Sequence, residues 1–419
     1  MPDTVVVGET LNFKHSSQAS LEFPLYHFLF VQRGLERKRK FQVVANAQQC
    51  KGLEQLLRVT VVGPSDEEMI DFGTPKEVAK AIYQETVHLA LKDPASGKPF
   101  EINQMINFIP VNQGDSTLLY AKRGDLPGLE MERLSGEVFR LSYGDQNFEI
   151  DFSVSKEQSP AYKLKEKKLT VSKEDYSLAV LGRSNGFDPN DPANGYLINA
   201  GGELVLWDCP AYMHQHLKKM GLKDTDIGAL VLSHVHEDHI DTSESLRDPP
   251  FELYTTPEIY YSLLVKLSAV FGCSMDEARK YHNWHPIEIG KPVEICGAEF
   301  EFFHSVHAIP SLGARVTKEI GGRKGILHIS GDHLSNEVLA QMKKDGGISK
   351  TRYEEVTNLL RGDETLVLID AGGGAIHGDY REYLDAEGRI AFMHTGLIQE
   401  ELPEGKFLVS SGQVIDVLG

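Results

Sequence analysis

The chain has 419 residues, of which 43 are Lys or Arg and 61 are Asp or Glu, so its formal net charge is −18. This length suffices for roughly two or three domains, and 25% charged with 41% hydrophobic residues is a globular composition that excludes a disordered tail. The acidic balance disfavours a long nucleic acid as partner, because a protein that binds a phosphate backbone needs a basic face.

The N-terminal sequence lacks a basic start followed by an apolar stretch, so it does not resemble a secretory signal. The sequence contains no run of about 18 apolar residues that would predict a membrane span. Its four scattered cysteines give neither a disulfide framework nor a zinc ribbon. We therefore predict a cytoplasmic protein without a membrane partner.

The first 150 residues read as mixed α and β structure without a chemical signature. Thr74 and Glu77 predict a capping box for a helix that extends to Leu91, with Pro75 at its first position. The alternating apolar residues of EVFRLSYGDQNFEIDF predict a β-hairpin with one apolar face.

Residues 153–175 are polar, rich in lysine and without apolar periodicity, which predicts the join between two domains. We place an N-terminal α+β domain of unknown role at residues 1–173 and a second domain at 174–419. For the first domain the sequence leaves three roles open: a cap over the active-site edge, a homodimer interface, or a site for a regulatory ligand.

The second half contains short β-branched and Leu-rich runs that end in Gly, Asp or His, among them ALVLSHVHEDH, ILHISGDH, TLVLIDAGGG and RIAFMH. These runs are too short for buried helices and predict strands whose carboxyl ends carry polar residues. Of the 16 histidines, 13 lie between His214 and His394. Metal binding is the obvious explanation for this uneven distribution.

The segment SHVHEDH places three imidazoles and a carboxylate directly after a strand. On a loop, His234 and His236 can bend toward one cation, while Asp238 and His239 are offset enough to serve a second. Imidazole and carboxylate suit zinc, and also iron or manganese. By contrast, His214 and His216 lie on a predicted helix, where residues two apart diverge by about 200°, and we interpret them as surface histidines.

HVHEDH resembles the HxHxDH signature of the metallo-β-lactamase fold superfamily, and further strand ends resemble its other motifs in the same order. LVLWDCP is similar to the first motif, HSVHAIPSLG to the third, HISGDH to the fourth and FMH to the fifth. The third is particularly similar to the RNase Z and phosphodiesterase branch. The resemblance covers about Leu178 to the C-terminus. It implies an α+β fold, the αββα sandwich of that superfamily, for the second domain, and leaves the additional N-terminal α/β domain unexplained.

Carried over residue by residue, the resemblance implies two divalent ions, with zinc preferred over iron or manganese. One would be held by His234, His236 and His307, the other by Asp238, His239 and His394, with Asp332 shared. Two cations around a shared water make hydroxide at neutral pH, which Asp238 would orient. Asp208 is expected to position a ligand rather than to be one. His304, three residues before His307, competes with it for the same role, and the family pattern favours His307.

Three further groups are candidates for the chemistry. Gly372, Gly373 and Gly374 follow a strand and could let backbone amides approach an anionic substrate, with His377 as proton donor. The alternative is a tight turn with an exposed histidine. His333 could face the substrate or be buried in packing, and His328 is interpreted as a core histidine.

The leading hypothesis is a binuclear metal-dependent hydrolase, a phosphodiesterase acting on a cyclic or small nucleotide and hence on a small phosphate-containing partner. A bridging Asp332 points away from a β-lactamase, and the acidic charge away from tRNA processing. The alternatives are a thioester or lactone hydrolase of the glyoxalase II type and a non-hydrolytic diiron sensor that binds dioxygen.

Overall fold

The computed structural model describes residues 3–18, 20–122, 124, 126–241, 243–395, 398 and 401–419. The elements before residue 152 form what we call the N-terminal region. Its strands are β1 (Thr4–Val6), β2 (Asn12–Phe13), β3 (Ser16–Ser17), β4 (Phe41–Ala45), β5 (Ile106–Pro110), β6 (Ser116–Tyr120), β7 (Leu129–Arg133), β8 (Val138–Tyr143) and β9 (Gln146–Asp151). Its helices are α1 (Glu22–Tyr26), which continues as a π-helical turn (His27–Val31), α2 (Ala47–Val61), α3 (Asp66–Phe72), α4 (Lys76–Leu89) and α5 (Ile102–Met105).

Two small sheets organise the N-terminal region. A parallel sheet has the order β1-β4-β5, and an antiparallel sheet has the order β6-β7-β8-β9. The buried side chains of Val44, Val111, Met131 and Phe139 pack the two sheets together.

The predicted hairpin is confirmed as β8 and β9, with Tyr143 opposite Gln146 and Gly144 at φ +59° in the turn. The predicted capping box at Thr74 is wrong. The helix begins at Lys76 with Pro75 as its N-cap, because the Thr74 hydroxyl donates instead to Oε2 of Glu258 at 2.8 Å. A long-range hydrogen bond thus replaced the local one that the sequence suggested.

From Tyr176 onward, two larger sheets of seven described strands each face one another. The first contains β10 (Tyr176–Gly182), β11 (Gly195–Ala200), β12 (Leu204–Trp207), β13 (Ala229–Val231), β14 (Glu252–Thr255) and β15 (Trp284–Pro286), in the order β15-β14-β13-β12-β11-β10-β23. The second contains β16 (Val293–Ile295), β17 (Ala298–Ser305), β18 (Ser311–Ile320), β19 (Arg323–Ile329), β20 (Leu366–Asp370), β21 (Ile390–Met393) and β22 (Lys406–Leu408), in that order. The last strand of the chain, β23 (Val414–Asp416), joins the first sheet beside β10.

Helices follow the strands of both sheets. They are α6 (Met213–Met220), α7 (Pro257–Phe271), α8 (Met275–Ala278), α9 (Asn336–Lys344) and α10 (Lys350–Val356), with 3-10 turns at Asp224–Asp226, Glu244–Leu246, Arg279–Tyr281 and Tyr380–Tyr383. One apolar core contains buried residues of both sheets and of α7, for example Leu206, Leu263, Phe300 and Leu368. This is the predicted α+β sandwich, in which each sheet buries one face against the other.

The strands that carry the motifs run in the same direction. β12, β13 and β14 are parallel neighbours, as are β19, β20 and β21. Their carboxyl ends therefore meet at one edge of the sandwich, which is where α/β sheets place ligand-binding residues.

Residues 152–175 contain no helix or strand, and the domain boundary placed there stays a prediction. The N-terminal region packs on the rest of the chain where its helix α2 contacts α7, a helix of the later part of the chain. Gly52 of α2 lies so close to α7 that an added Cβ would be 3.1 Å from Cα of Ala269. Among the described residues, no helix combines the length and the apolar character that crossing a membrane requires.

Candidate metal centre

The structure brings all seven predicted ligands together at the carboxyl edge of the strands. Each is almost fully buried, with at most 7% of its surface exposed. Three sets have ligand atoms within 4.8 Å of one another: His234, His236 and His307; His234, His239 and Asp332; and Asp238, His239 and His394.

The hydrogen bonds of the first three histidines determine which ring nitrogens carry protons. Nδ1 of His307 lies 2.9 Å from the carbonyl of Ile376, and Nε2 of His236 lies 3.0 Å from the carbonyl of Thr60. A carbonyl only accepts, so both of these nitrogens donate. The remaining nitrogens, Nε2 of His307 and Nδ1 of His236, are 3.1 Å apart and both present lone pairs.

His234 adds a third lone pair. The hydroxyl of Ser233 donates to Asp208 at 2.8 Å, so its oxygen accepts from Nδ1 of His234 at 3.0 Å. Nε2 of His234 is then left bare, 3.1 Å from Nδ1 of His236. Burial lowers the pKa of all three rings, to about 4 for His307, which keeps them neutral. Three converging lone pairs repel one another unless a cation lies between them, so this arrangement fits a metal ion.

The second set combines carboxylates with imidazoles. Nε2 of His394 lies 2.9 Å from Oδ2 of Asp238, and Nε2 of His239 lies 3.3 Å from Oδ1 of Asp332. Both oxygens of Asp332, Nε2 of His239 and Nδ1 of His394 are buried and have no hydrogen-bond partner among the described residues. Buried polar atoms are rarely left unpaired in folded proteins, so these unpaired ligand-type atoms fit a metal ion.

The electrostatics of these groups are those of a site built for positive charge. Burial alone would raise the pKa of Asp332, but the neighbouring His394 and His239 hold it well below its usual range. Burial would likewise lower the pKa of His239, yet Asp332, Asp238 and Asp208 raise it. The carboxylates thus draw a proton to His239, and a bound cation would supply the same compensating charge.

Asp208 lies behind the ligands, as the sequence predicts. One of its oxygens accepts from the amide of Ser233 at 2.7 Å, and the other from Nδ1 of His239, also at 2.7 Å. Asp208 and His394 both follow a strand with positive φ, +61° and +62°. Non-glycine residues rarely adopt this conformation, and such strain is concentrated at functional sites.

Asp370 is a site residue that the sequence analysis missed. It is buried at the end of β20, and its Oδ2 lies 2.9 Å from Nδ1 of His377. Asp370, His377, Asp332 and His394 place one ligand atom each within 4.8 Å of the others. Burial would lower the pKa of His377, but Asp370 raises it to about 9. The signal was available, because Asp370 ends a strand as Asp208 does.

At the predicted anion cradle of Gly372, Gly373 and Gly374, two of the three amides are engaged within the loop, and a role for Gly374 stays a prediction. The amide of Gly372 donates to Asp370, and the amide of Gly373 donates to the carbonyl of Gly378, both at 2.9 Å. The loop needs glycine for another reason: a Cβ at Gly372 would lie 2.8 Å from Cγ of His377 and 3.0 Å from Nδ1 of His394. Gly372 therefore lets these two rings approach each other.

A catalytic role for His333 does not fit. Its Nδ1 accepts from the amide of Val306 at 3.1 Å, and its Nε2 donates to the carbonyl of Val356 at 3.3 Å. Both ring nitrogens are thus engaged by backbone. His304 bonds to Glu258 at 2.7 Å, which leaves His307 in the metal cluster, and His328 is buried against Phe303.

The interpretation of His214 and His216 as surface residues is partly wrong. His216 is fully buried, and its Nδ1 bonds to Glu166, which lies in the stretch 152–175 that has no helix or strand. His214 stacks on His15 of the N-terminal region, with ring centroids 4.0 Å apart and an interplanar angle of 9°. Because parallel rings cannot both direct a lone pair at one ion, these two histidines form a packing contact rather than a metal site, although Asp224 is close.

The fold and the ligand arrangement define the class of protein: the chain has the metallo-β-lactamase fold. Residues 176–350, less than half of the chain, match the profile of the family described as "Anti-Pycsar protein Apyc1". The predicted resemblance to this superfamily is confirmed at the level of the fold.

Two curated proteins of Dictyostelium discoideum are similar in sequence. One, a cGMP-dependent 3′,5′-cGMP phosphodiesterase A, is 30% identical over 204 residues, which are 48% of this chain and 23% of that protein. The other, a cAMP/cGMP-dependent 3′,5′-cAMP/cGMP phosphodiesterase B, is 23% identical over 441 residues, which are 92% of this chain and 39% of that protein. The chain therefore spans less than half the length of either relative.

Among solved structures, the metallo-β-lactamase fold protein YhfI from Bacillus subtilis is similar to this chain, with 16% identity and a TM-score of 0.40. The match covers 57% of this chain and 99% of that protein.

Proposed function

We propose that this chain is a binuclear metal-dependent phosphodiesterase that hydrolyses a cyclic or otherwise small nucleotide. The observation that carries the proposal is the convergence of three imidazole lone pairs beside Asp332, whose two oxygens are buried and accept no hydrogen bond from the described residues. His234, His236 and His307 would hold one ion, Asp238, His239 and His394 the other, and Asp332 both. The imidazole-rich set favours zinc, with iron and manganese as alternatives.

The metal ions would supply activation of water and polarisation of the phosphate. The chain's own contribution to proton transfer is His377. Its Nδ1 donates to Asp370, which fixes the ring, so that Nε2 is the atom that can give a proton to the leaving oxygen. His377 is 16% exposed in its side chain, whereas the seven ligands are more deeply buried, so it lies on the solvent side of the cluster where a substrate would enter.

Two observations support a nucleotide over other substrates. The similar curated proteins are cyclic-nucleotide phosphodiesterases by name. In addition, an aromatic pair lies beside Asp238: Phe23 and Phe187 meet edge to face with centroids 5.5 Å apart. A Cβ at Gly186 would clash with the ring of Phe23 and would lie 3.2 Å from Cβ of Asp238. Phe187 is 41% exposed and offers a face on which a nucleobase can stack.

The proposal is tested by loading the purified chain with zinc, manganese or iron and assaying bis-p-nitrophenyl phosphate, cAMP, cGMP, a glutathione thioester and a lactone. We expect turnover of the phosphodiesters. Turnover of the thioester or lactone alone would favour the glyoxalase II type of hydrolase. An oxygen-dependent visible band in inactive iron-loaded protein would favour the sensor. If none of the substrates is turned over with any of the three metals, the proposal is wrong.

The aromatic pair gives a sharper test of the substrate class. Phe187→Ala should raise KM for cyclic nucleotides by about 5- to 100-fold, which corresponds to the loss of one stacked base. The matched control is Phe148→Ala, which removes another exposed phenylalanine, on strand β9. Equal KM values for both variants would contradict base stacking at Phe187.

Three further expectations stay predictions: the cytoplasmic location, the absence of a long nucleic-acid partner and the homodimer. Light scattering would test the homodimer.

A further inference from the structure

We propose that the N-terminal region is a structural part of the metal centre, in which it fixes the ring of His236 and the backbone of the loop that carries it. This inference rests on the proposed metal site. It gives the N-terminal region a role. The sequence left three roles open for this region: a cap, a homodimer interface or a regulatory site.

The first contact is the hydrogen bond from Nε2 of His236 to the carbonyl of Thr60 at 3.0 Å. Thr60 lies in the last turn of α2, where carbonyls lack partners within the helix. The residue four positions later is Pro64, which has no N–H to offer. The carbonyl therefore has no partner within the helix and accepts from His236, with the hydroxyl of Tyr26 as a second donor at 3.4 Å. The bond to His236 leaves Nδ1 of that ring to face His234 and His307.

The second contact is a reciprocal pair of hydrogen bonds between Glu22 and Glu237. Oε2 of Glu22 accepts from the amide of Glu237 at 2.9 Å, and Oε2 of Glu237 accepts from the amide of Glu22 at 2.8 Å. Glu237 is the residue between His236 and Asp238. These two hydrogen bonds thus connect the start of α1 to the backbone between two candidate ligands.

Lys266 of α7 completes this arrangement. Its Nζ donates to Oε1 of Glu22 at 2.8 Å and to the carbonyl of Val235 at 2.7 Å. Glu22 and Lys266 are 1% and 3% exposed, so this is a buried ion pair that bonds directly to the loop between His234 and His236. The hydroxyl of Tyr26 also donates to Glu22, at 3.1 Å, and its ring meets that of His236 edge to face.

The N-terminal region also braces the strand end that carries His307. Glu85 of α4 pairs with Nε of Arg352 at 3.0 Å, and Arg352 donates to the carbonyl of His304 at 3.0 Å. Thr74 donates to Glu258, which bonds to the ring of His304. Of the three histidines of the first set, His236 is therefore contacted by this region directly. The segments that carry His234 and His307 are reached through Lys266, Arg352 and Glu258, which the region in turn contacts. The second set has no such contact from it to His239 or His394 among the described residues.

The test compares zinc binding by the unaltered chain and by the double variant Glu22→Gln/Lys266→Met, which removes both charges of this ion pair together. Zinc content is measured by mass spectrometry, affinity by competition with a chromophoric chelator, and ligand geometry by the visible spectrum of the cobalt-loaded protein. We expect one of the two ions to bind about 10- to 100-fold more weakly, which is the usual cost of altering a residue that orients a ligand. We also expect a changed cobalt spectrum.

The matched control is Arg315→Met/Glu364→Gln, which removes another buried ion pair, one that does not contact the ligand loops. It should lower stability but keep wild-type zinc affinity and cobalt spectrum. Tyr26→Phe is the milder variant should the double variant fail to fold, and a several-fold loss of affinity is expected. Wild-type affinity and spectrum in a folded Glu22 and Lys266 variant, or in Tyr26→Phe, would overturn the inference. Failure of the unaltered chain to bind zinc would instead overturn the proposed function on which it rests.

Discussion

The N-terminal region and the two large sheets bring different kinds of chemical group to the same place. The sheets supply side chains that can bind a cation, namely the histidines and aspartates at their strand ends. The N-terminal region supplies the Thr60 carbonyl and the Glu22 carboxylate, which touch those ligands or their loop without joining them. Binding of the metal ions and positioning of their ligands can thus come from separate parts of one chain. A substitution can then weaken the positioning of a ligand without removing the ligand itself.

The largest effect is expected from Asp332→Asn, because Asp332 is the ligand that both proposed ions share. An amide keeps the shape but loses the charge and one acceptor oxygen. We expect zinc affinity to fall more than about 100-fold, beyond the cost of altering an orienting residue, and phosphodiesterase activity to disappear. The measurements are zinc content and kcat.

Asp363→Asn is the matched control, since Asp363 pairs with Arg315 and its side chain is 56% exposed. It should bind zinc as the unaltered chain does. Two tightly bound ions in Asp332→Asn would remove the bridging role and with it the assignment of ligation to the strand ends.

His377→Gln should separate chemistry from ligation within the sheets. If Nε2 of His377 protonates the leaving oxygen, kcat falls about 100- to 10,000-fold while zinc content stays at two ions per chain. Steady-state kinetics and metal analysis measure the two effects independently. His285→Gln, which alters a half-exposed histidine bonded to Glu252, should change neither. Loss of an ion in His377→Gln would mean that His377 belongs to the ligands, together with Asp370.

Asp208→Asn tests orientation supplied from the sheets themselves, for comparison with orientation from the N-terminal region. Asparagine tolerates the positive φ of this position, so the fold should survive. The variant weakens the bonds that hold His239 and Ser233, and zinc affinity should fall about 10- to 100-fold. Chelator competition would show this loss. An unchanged affinity would leave the N-terminal contacts as the more important source of orientation.

The candidate metal centre was predictable because its residues are close in sequence or follow a strand. HVHEDH contains four of them, and His307, Asp332 and His394 follow β17, β19 and β21. These strands run in the same direction, because β17 and β19 are both antiparallel to β18 and β21 is parallel to β20 and β19. The αββα sandwich was equally accessible, since short apolar runs with polar ends are characteristic of such sheets.

What the sequence could not provide are contacts that depend on packing. Nothing near Thr60 indicates that its carbonyl meets His236, which lies 176 residues later. The same holds for Thr74, whose local pattern suggests a capping box but whose hydroxyl bonds to Glu258. The glycine run is a related case: two of its three amides, those of Gly372 and Gly373, serve the loop's own hydrogen bonds.

The smallest effect concerns His328, a histidine of the second sheet that lies outside the metal centre. It is 1% exposed and stacks on Phe303 at 5.2 Å, and burial lowers its pKa to about 3. In the unfolded chain its pKa is about 6.5. As pH falls below that value, the unfolded state binds a proton at this histidine and the folded state does not. The free energy of unfolding therefore decreases between about pH 6.5 and 3, by about 1.4 kcal/mol per pH unit. The sign is fixed because the folded pKa is the lower one.

His328→Phe keeps an aromatic ring against Phe303 and removes the titration. Urea denaturation at pH 6, 5 and 4 should therefore give a shallower loss of stability than in the unaltered chain, and the difference should be the same with and without zinc. A zinc-dependent difference in His328→Phe would place this histidine in contact with the metal centre, and the distinction between packing and ligating histidines within the sheets would then have to be redrawn.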